Sequence, residues 1–140
     1  MVMATLLARP VPSDRTEAIL GPLVAQLRAV VLAAGGCHER CHVVFVDARR
    51  RHLGDASIGM GSLGGLSLRM RDIFGEALRL NARGIILAHN HPSGQCRPSS
   101  CDIAATRRLE AVAQALDIAL IDHLIFTDDA VYSMRAGGLL

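Results

Sequence analysis

The chain contains no lysine: all fifteen of its basic residues are arginine, and tryptophan is absent as well. A mechanism that needs a lysine as a base, as a Schiff-base former or as the cation of a phosphate-binding loop is therefore excluded within these residues. Aromatic residues make up only 3% of the chain, so the core must be built from aliphatic side chains. Such a core suits packed helices and strands of the parallel type.

Long apolar runs are also missing. No stretch approaches the ~20 residues that a membrane-spanning helix needs, and the first ten residues lack the basic start and long apolar segment of a signal peptide. The net charge of +2 is small, whereas a nucleic-acid-binding domain is usually strongly basic. We therefore expect a cytoplasmic protein without a membrane partner, in which the four cysteines do not form disulfides.

The pattern of apolar residues predicts one domain over residues 14–140, after a short lead of residues 1–13. The elements follow the order α-β-β-α-β-α-β-β, which predicts a mixed sheet covered by helices. Glycines at 59, 61, 64 and 65 predict a loop with a short edge strand between the second strand and the second helix. The predicted helices begin at Ser13, Met70 and Ser99, the second ending at Arg83, and the predicted strands are 41–47, 52–60, 84–88, 118–126 and 131–134.

One segment carries most of the chemical information: His89-Asn-His91-Pro-Ser-Gly-Gln-Cys-Arg-Pro-Ser99-Ser-Cys-Asp102. It follows the apolar run 84–88, which predicts a buried strand, and side chains two residues apart on a strand share a face. His89 and His91 then converge if the extended geometry continues. Together with the carboxylate of Asp102 they offer the N, N and O ligands of a catalytic zinc ion whose fourth position stays open.

The same residues have a purely structural interpretation. Ser99-x-x-Asp102 is typical of a helix start, with Ser99 as the N-cap and Asp102 in the first turn. Apolar residues from Ile103 to Leu116 keep helical spacing, so a helix is expected here in any case. The two interpretations are compatible, because one helix start can hold both a cap and a ligand.

Zinc would lower the pKa of its bound water from 15.7 toward ~7, but acyl-transfer hydrolysis also needs a proton shuttle that is not itself a ligand. Glu39 is the first candidate, because it opens an apolar strand beside the expected central strand. Glu76 and Glu110 are the others, and both lie on helix patterns where a solvated face is the usual position.

These residues resemble a known signature. Glu39 followed by His89-x-His91-x7-Ser99-x-x-Asp102 reproduces the JAMM metalloprotease motif of the JAB/MPN superfamily. Within that superfamily the chain looks like the RadC-type bacterial JAB domains, over roughly residues 14–136. The resemblance extends through Arg71-Asp-Ile-Phe74, Glu76-Ala-Leu-Arg-Leu-Asn-Ala82, His89-Asn-His-Pro-Ser-Gly94 and Asp122-His123-Leu-Ile125.

The resemblance implies a role for each matching residue. His89, His91 and Asp102 would ligate zinc with water as the fourth ligand, Glu39 would carry the proton from that water to the leaving amine, and Ser99 would hydrogen-bond the oxyanion. It also implies a cytidine-deaminase-like α/β/α sandwich. The departures lie outside the ligands: Met70-Arg71-Asp72 stands where the family usually has Pro-Arg-Glu, and the cysteines at 96 and 101 are unusual.

Four further features have open or secondary interpretations. Cys37-x-x-x-Cys41 has the spacing of a zinc knuckle, but no second pair of that kind follows. Cys96 and Cys101 flank the site and are candidates for oxidation. We interpret His123 as a structural histidine rather than a fourth ligand, and His38 either orients Glu39 or faces solvent.

The leading functional hypothesis is a zinc metallopeptidase or isopeptidase that acts on an unidentified protein or peptide. The alternative is a non-enzymatic JAB-fold module that binds protein or DNA, associated with DNA repair, with a structural or silent zinc. A zinc deaminase would need His-x-Glu and Pro-Cys-x-x-Cys. This chain has His91 in the second position of the first motif and Pro98-Ser-Ser-Cys101 in place of the second. The sequence carries no information on the oligomeric state.

Overall fold

A computed structural model of the chain describes residues 14–33, 38–61 and 68–140. Within them the predicted element order α-β-β-α-β-α-β-β is confirmed. The lead of residues 1–13 and residues 62–65 of the glycine-rich stretch lie outside the described residues, and residues 59–61 continue a strand. The elements are α1 (Asp14–Leu32), β1 (Glu39–Val46), β2 (His52–Gly61), α2 (Met70–Arg79), β3 (Gly84–Asn90), α3 (Ser100–Ala115), β4 (Ala119–Phe126) and β5 (Val131–Ser133).

The strands form one mixed sheet in the order β2-β1-β3-β4-β5. β1 pairs antiparallel with both β2 and β3, and β4 pairs antiparallel with β5. β3 and β4 are parallel, because α3 carries the chain back between them. β3 is therefore the central strand, as predicted, and its carboxyl end leads directly into the segment that holds the candidate ligands.

Helices cover both faces of the sheet, which explains why β1 and β3 are apolar almost throughout. The side chains of Val43 and Leu87 pack with α2 and α3 on one face. Their sequence neighbours Val44 and Ala88 pack with α1 on the other face. The predicted α/β/α sandwich is confirmed. None of the helices that the structure describes is both long and apolar enough to cross a membrane.

The end of α2 differs from the prediction of a helix reaching Arg83. The helix ends at Arg79 because Asn81 adopts a left-handed conformation, with φ of 53°. The N–H groups of Asn81 and Ala82 then donate to the carbonyls of Leu78 and Ala77, which closes a Schellman motif. The helix thereby ends four residues earlier than periodicity indicated, and β3 still begins at Gly84 as predicted.

β3 is longer than the predicted 84–88, since the strand continues through Asn90. All seven of its residues are buried, His89 and Asn90 included. His89 pairs with Cys41 of β1 and Ile125 of β4, and Asn90 pairs with Phe126 of β4. The run of apolar residues stops at Ala88, whereas the strand hydrogen bonds continue to Asn90.

Candidate metal centre

The end of β3 presents two imidazoles on one face of the sheet. His89 lies inside the strand and is fully buried. His91 follows the strand directly, and its N–H donates to the Phe126 carbonyl at 2.9 Å, so that the extended geometry persists. Both rings therefore lie on the face that α3 covers, and His91 keeps a side-chain exposure of 9%.

The start of α3 brings Asp102 to the same place. Ser99 is the N-cap: its hydroxyl accepts the Asp102 N–H at 3.1 Å, while the Ser99 N–H donates to Asp102 Oδ2 at 2.8 Å. This capping box is what the structural interpretation predicts. It also points a carboxylate that is 1% exposed at the two imidazoles, so one helix start serves as cap and places a candidate ligand.

Three candidate ligand side chains converge between these elements. His89 Nε2 lies 2.9 Å from His91 Nε2, and His91 Nε2 lies 3.0 Å from Asp102 Oδ2. Asp102 Oδ1 lies 3.5 Å from His89 Nε2. A tetrahedral zinc ion with bonds of roughly 2.0–2.2 Å places its ligand atoms about 3.3 Å apart. The spacing of the two nitrogens and the Asp102 carboxylate oxygens therefore fits a small cation.

Buried hydrogen bonds determine which nitrogen of His89 carries its proton. The Thr106 hydroxyl donates to the Asp102 carbonyl at 2.6 Å, so it accepts from Nδ1–H of His123 at 2.7 Å. His123 then accepts at Nε2 from Nδ1–H of His89, at 2.6 Å. Burial keeps His123 neutral by lowering its pKa well below the ordinary value. His89 is left with a lone pair on Nε2, the atom that faces the site.

A single hydrogen bond likewise leaves the lone pair of His91 on Nε2. Its Nδ1–H donates to the backbone carbonyl of Gln95 at 2.7 Å, which leaves the lone pair on Nε2. A ligand histidine is commonly held in this way, through a hydrogen bond from its second ring nitrogen. His123 is thus a structural histidine, as predicted, with a specific role: it orients His89 and is not among the grouped candidate ligands.

Two lone pairs and a carboxylate that face one another require a cation. A proton is the simplest one. Burial opposes protonation of His91, but the hydrogen bonds to Asp102 and to the Gln95 carbonyl outweigh it and raise its pKa. Burial likewise opposes ionisation of Asp102, yet the hydrogen bonds with His89 and His91 hold the pKa of Asp102 far below its ordinary value. Since Asp102 is a carboxylate at neutral pH, a divalent metal satisfies the set better than one proton does.

Glu39 lies beside this cluster. It is the first residue of β1, two residues before Cys41, which pairs with His89 across the sheet. Its side chain therefore lies on the face of the two imidazoles, and its negative charge contributes to the raised pKa of His91. Glu39 Oε2 is buried and has no hydrogen-bond partner within the described part of the chain. A buried oxygen of this kind is costly unless something absent from the chain uses it.

Ser99 is the most exposed of the predicted site residues. Its hydroxyl oxygen accepts the Asp102 N–H, and its own proton has no acceptor among the described residues. That proton is therefore available to an oxygen of a bound molecule. The structure brings together all five predicted site residues at the carboxyl end of β3.

Cys41, Cys96, Cys101 and His38 lie around the cluster rather than in it, and Cys37 of the predicted zinc knuckle lies outside the described residues. Cys41 is buried in the core and burial raises the pKa of its thiol. Cys96 is buried with its Sγ–H donating to the Ile125 carbonyl, while Cys101 is exposed. Among the described residues no cysteine joins the candidate ligands His89, His91 and Asp102. The side chain of His38 is exposed, and its neighbour Glu39 receives no hydrogen bond from it.

Sequence reasoning missed two residues that shape the cluster. Thr106 lies four residues after Asp102, one helical turn further along the same face, which is the signal that would have indicated it. Asn90 stands between the two histidines, and no pattern in the sequence indicates its role because its partners lie in a distant part of the chain. Both side chains are buried and both use their polar atoms on groups close to the predicted site residues.

The fold and the cluster together define an α/β/α domain with a histidine–histidine–aspartate group able to hold a metal at the end of its central strand. Residues 17–139 match the sequence profile of the RadC-like JAB domain. The chain belongs to this family, which confirms its resemblance to the RadC-type JAB domains.

Individual relatives agree with the family assignment. The chain is 41% identical over 102 residues to a UPF0758 protein of Acidithiobacillus ferrooxidans, covering 73% of this chain and 46% of the relative. It is 43% identical over 102 residues to one from Desulfitobacterium hafniense, with coverages of 73% and 45%. A UPF0758 protein of Nitrosococcus oceani is 38% identical over 118 residues, covering 84% of this chain and 50% of the relative. The chain spans about half the length of the curated relatives it matches.

Proposed function

We propose that this domain is a zinc-dependent metallopeptidase or isopeptidase that hydrolyses an amide bond in a protein or peptide. His89, His91 and Asp102 hold the metal. Zinc bound by these side chains supplies Lewis acidity, which makes water a stronger acid and withdraws electrons from an amide carbonyl. Membership of the JAB-fold class supports this proposal at the level of fold, and the donor set supports it at the level of chemistry.

Glu39 and Ser99 complete the reaction. Glu39 takes the proton of the attacking water on Oε2 and delivers it to the nitrogen of the leaving amine. The Ser99 hydroxyl donates to the negative oxygen that develops on the attacked carbonyl.

The observation that carries the proposal is the buried Oε2 of Glu39, which has no hydrogen-bond partner among the residues that the structure describes. A structural zinc needs a closed set of ligands and no base beside it. Here that carboxylate oxygen lies next to three converging candidate ligands, one of which is a partly exposed ring. This arrangement favours the enzyme over the non-enzymatic module.

The test combines zinc content with cleavage of a peptide library. We expect about one zinc per chain in the wild type and in Glu39→Gln, with cleavage by the wild type alone. Asp102→Asn keeps an oxygen for the capping box but is a poor zinc ligand, so it should stay folded and lose the metal. Asp102→Ala should lose the metal and, in addition, about 1 kcal/mol of stability with the cap.

Two results would overturn parts of this proposal. Full zinc retention in Asp102→Asn would remove Asp102 from the ligand set. Stoichiometric zinc with no cleavage by the wild type of any library peptide would favour the binding module, whose protein or DNA partner would then have to be sought.

A further inference from the structure

Asn90 is a buried polar residue whose role lies apart from the metal ligands. It is the last residue of β3 and lies between His89 and His91, so its side chain points to the opposite face of the sheet. It is 5% exposed. Its Oδ1 accepts the N–H of Arg40 at 2.6 Å, and its Nδ2 donates to the carbonyl of His38 at 3.2 Å.

Both of these backbone groups belong to the peptide bonds of Glu39. The carbonyl of His38 is half of the peptide bond that precedes Glu39, and the N–H of Arg40 is half of the one that follows. The pairing between β1 and β3 ends at Cys41 and His89, one residue short of this point. The amide of Asn90 therefore continues the hydrogen bonding toward β1 where the backbone pairing has stopped.

Glu39 depends on this support because its own side chain offers little. Its Oε2 has no partner in the described part of the chain, so no hydrogen bond to that atom fixes the carboxylate direction. What remains is the backbone from which the side chain projects. A general base must approach its proton to roughly 2.6–3.2 Å, and a displacement of about 1 Å can lower a rate by about 100-fold.

We propose that Asn90 is a positioning residue that clamps both peptide bonds of Glu39 and so aims its carboxylate at the site. This inference rests on the proposed function, in which Glu39 is the base. The ligands lie on the other face of the sheet, so the clamp is expected to affect proton transfer and not metal binding.

Two substitutions of Asn90 separate its donor from its acceptor. Asn90→Leu removes both hydrogen bonds in a side chain of similar size. Asn90→Asp keeps the acceptor for the Arg40 N–H and loses the donor to the His38 carbonyl. Thr127→Val is the matched control, because it removes a buried side chain whose hydroxyl hydrogen-bonds Ala130 and neither of the backbone groups that Asn90 holds.

The first readout is amide hydrogen exchange at Arg40, which needs neither substrate nor activity. We expect exchange to be about tenfold faster or more in Asn90→Leu, and close to wild type in Asn90→Asp and Thr127→Val. Zinc content should stay at the wild-type level in all three. Unchanged exchange at Arg40 in a folded Asn90→Leu protein would overturn the clamp.

The second readout is the kinetics of a library peptide that the wild type cleaves. Asn90→Leu should lower kcat by about 10–100-fold with little change in KM, approaching Glu39→Gln, and Asn90→Asp should lie between. A kcat that falls only in proportion to the loss of folded or zinc-loaded protein would show a merely structural role. If the wild type binds zinc and cleaves nothing, the proposed function fails, and faster exchange at Arg40 would still establish the clamp on its own.

Discussion

Replacing Thr106 by valine tests the chain of buried hydrogen bonds behind His89. Valine has nearly the shape of threonine but can neither accept the Nδ1–H of His123, now at 2.7 Å, nor donate to the Asp102 carbonyl. Because His123 is fully buried, water cannot replace the lost acceptor. His123 then has two choices: to keep its proton on Nδ1 without a partner, or to move it to Nε2.

The two choices differ in what they do to the metal site. A proton on Nε2 of His123 would face Nδ1 of His89 at 2.6 Å and force the His89 proton onto Nε2, the atom that should ligate the metal. Metal-free protein can adopt this state, whereas zinc-loaded protein cannot. The zinc-loaded form therefore bears the full cost of an unsatisfied buried N–H, about 1–3 kcal/mol. Since a tenfold change in affinity corresponds to about 1.4 kcal/mol, zinc should bind about 10–100-fold more weakly.

Competition with a zinc-binding dye measures this affinity, and urea unfolding of the metal-free protein measures the stability. Thr106→Ser is the control, because it keeps the hydroxyl and loses one methyl group, at a cost of about 0.5–1.5 kcal/mol in stability. Serine should therefore weaken the fold and retain zinc, while valine should retain most of the fold and weaken zinc. If Thr106→Val binds zinc as tightly as Thr106→Ser, the hydrogen bonds behind His89 do not control the ligand.

Two further predictions concern pH and packing. In metal-free protein the raised pKa of His91 adds stability that is complete below the ordinary value of 6.5 and disappears as the pH rises through the higher folded value. Because zinc displaces that proton, it should raise Tm more at about pH 8.5 than at about pH 6. Equal shifts in Tm at the two pH values would contradict the assignment. A Cβ at Gly84 would lie 2.7 Å from Ile121 Cδ1 and 2.9 Å from Val46 Cγ2, whereas one at Gly75 in α2 meets nothing within 4 Å. Urea unfolding should therefore show a loss of about 1–3 kcal/mol for Gly84→Ala and a gain of about 0.5–1 kcal/mol for Gly75→Ala; a stable Gly84→Ala would show that these neighbours move freely.

The parts of the fold that the sequence predicts are those with local signals. Ser99 and Asp102 are three residues apart, so both the cap and the direction of the carboxylate follow from one short segment. The apolar runs of β1 and β3 indicate strands that are buried on both faces, and the structure places both strands inside the sheet between the helices. The early end of α2 was missed because it depends on one left-handed residue, Asn81, which periodicity does not detect.

The contacts that complete the site join distant parts of the chain. Asn90 reaches His38 across 52 positions, and His123 reaches His89 across 34. Such partners are set by the register of neighbouring strands, which no pattern within one element reveals. The candidate ligands could therefore be predicted from their spacing, but the residues that orient them could not.

The capping box at the start of α3 would also govern how the domain exchanges a metal held by His89, His91 and Asp102. Because the Ser99 N–H already holds Asp102 Oδ2 at 2.8 Å, the carboxylate is aimed by the helix and not by the ion. Departure of a metal would leave α3 in place, and its return would require the release of a proton but no refolding. Loading should then follow the speed of ligand exchange, and a domain starved of zinc would remain folded and ready to reload when supply recovers.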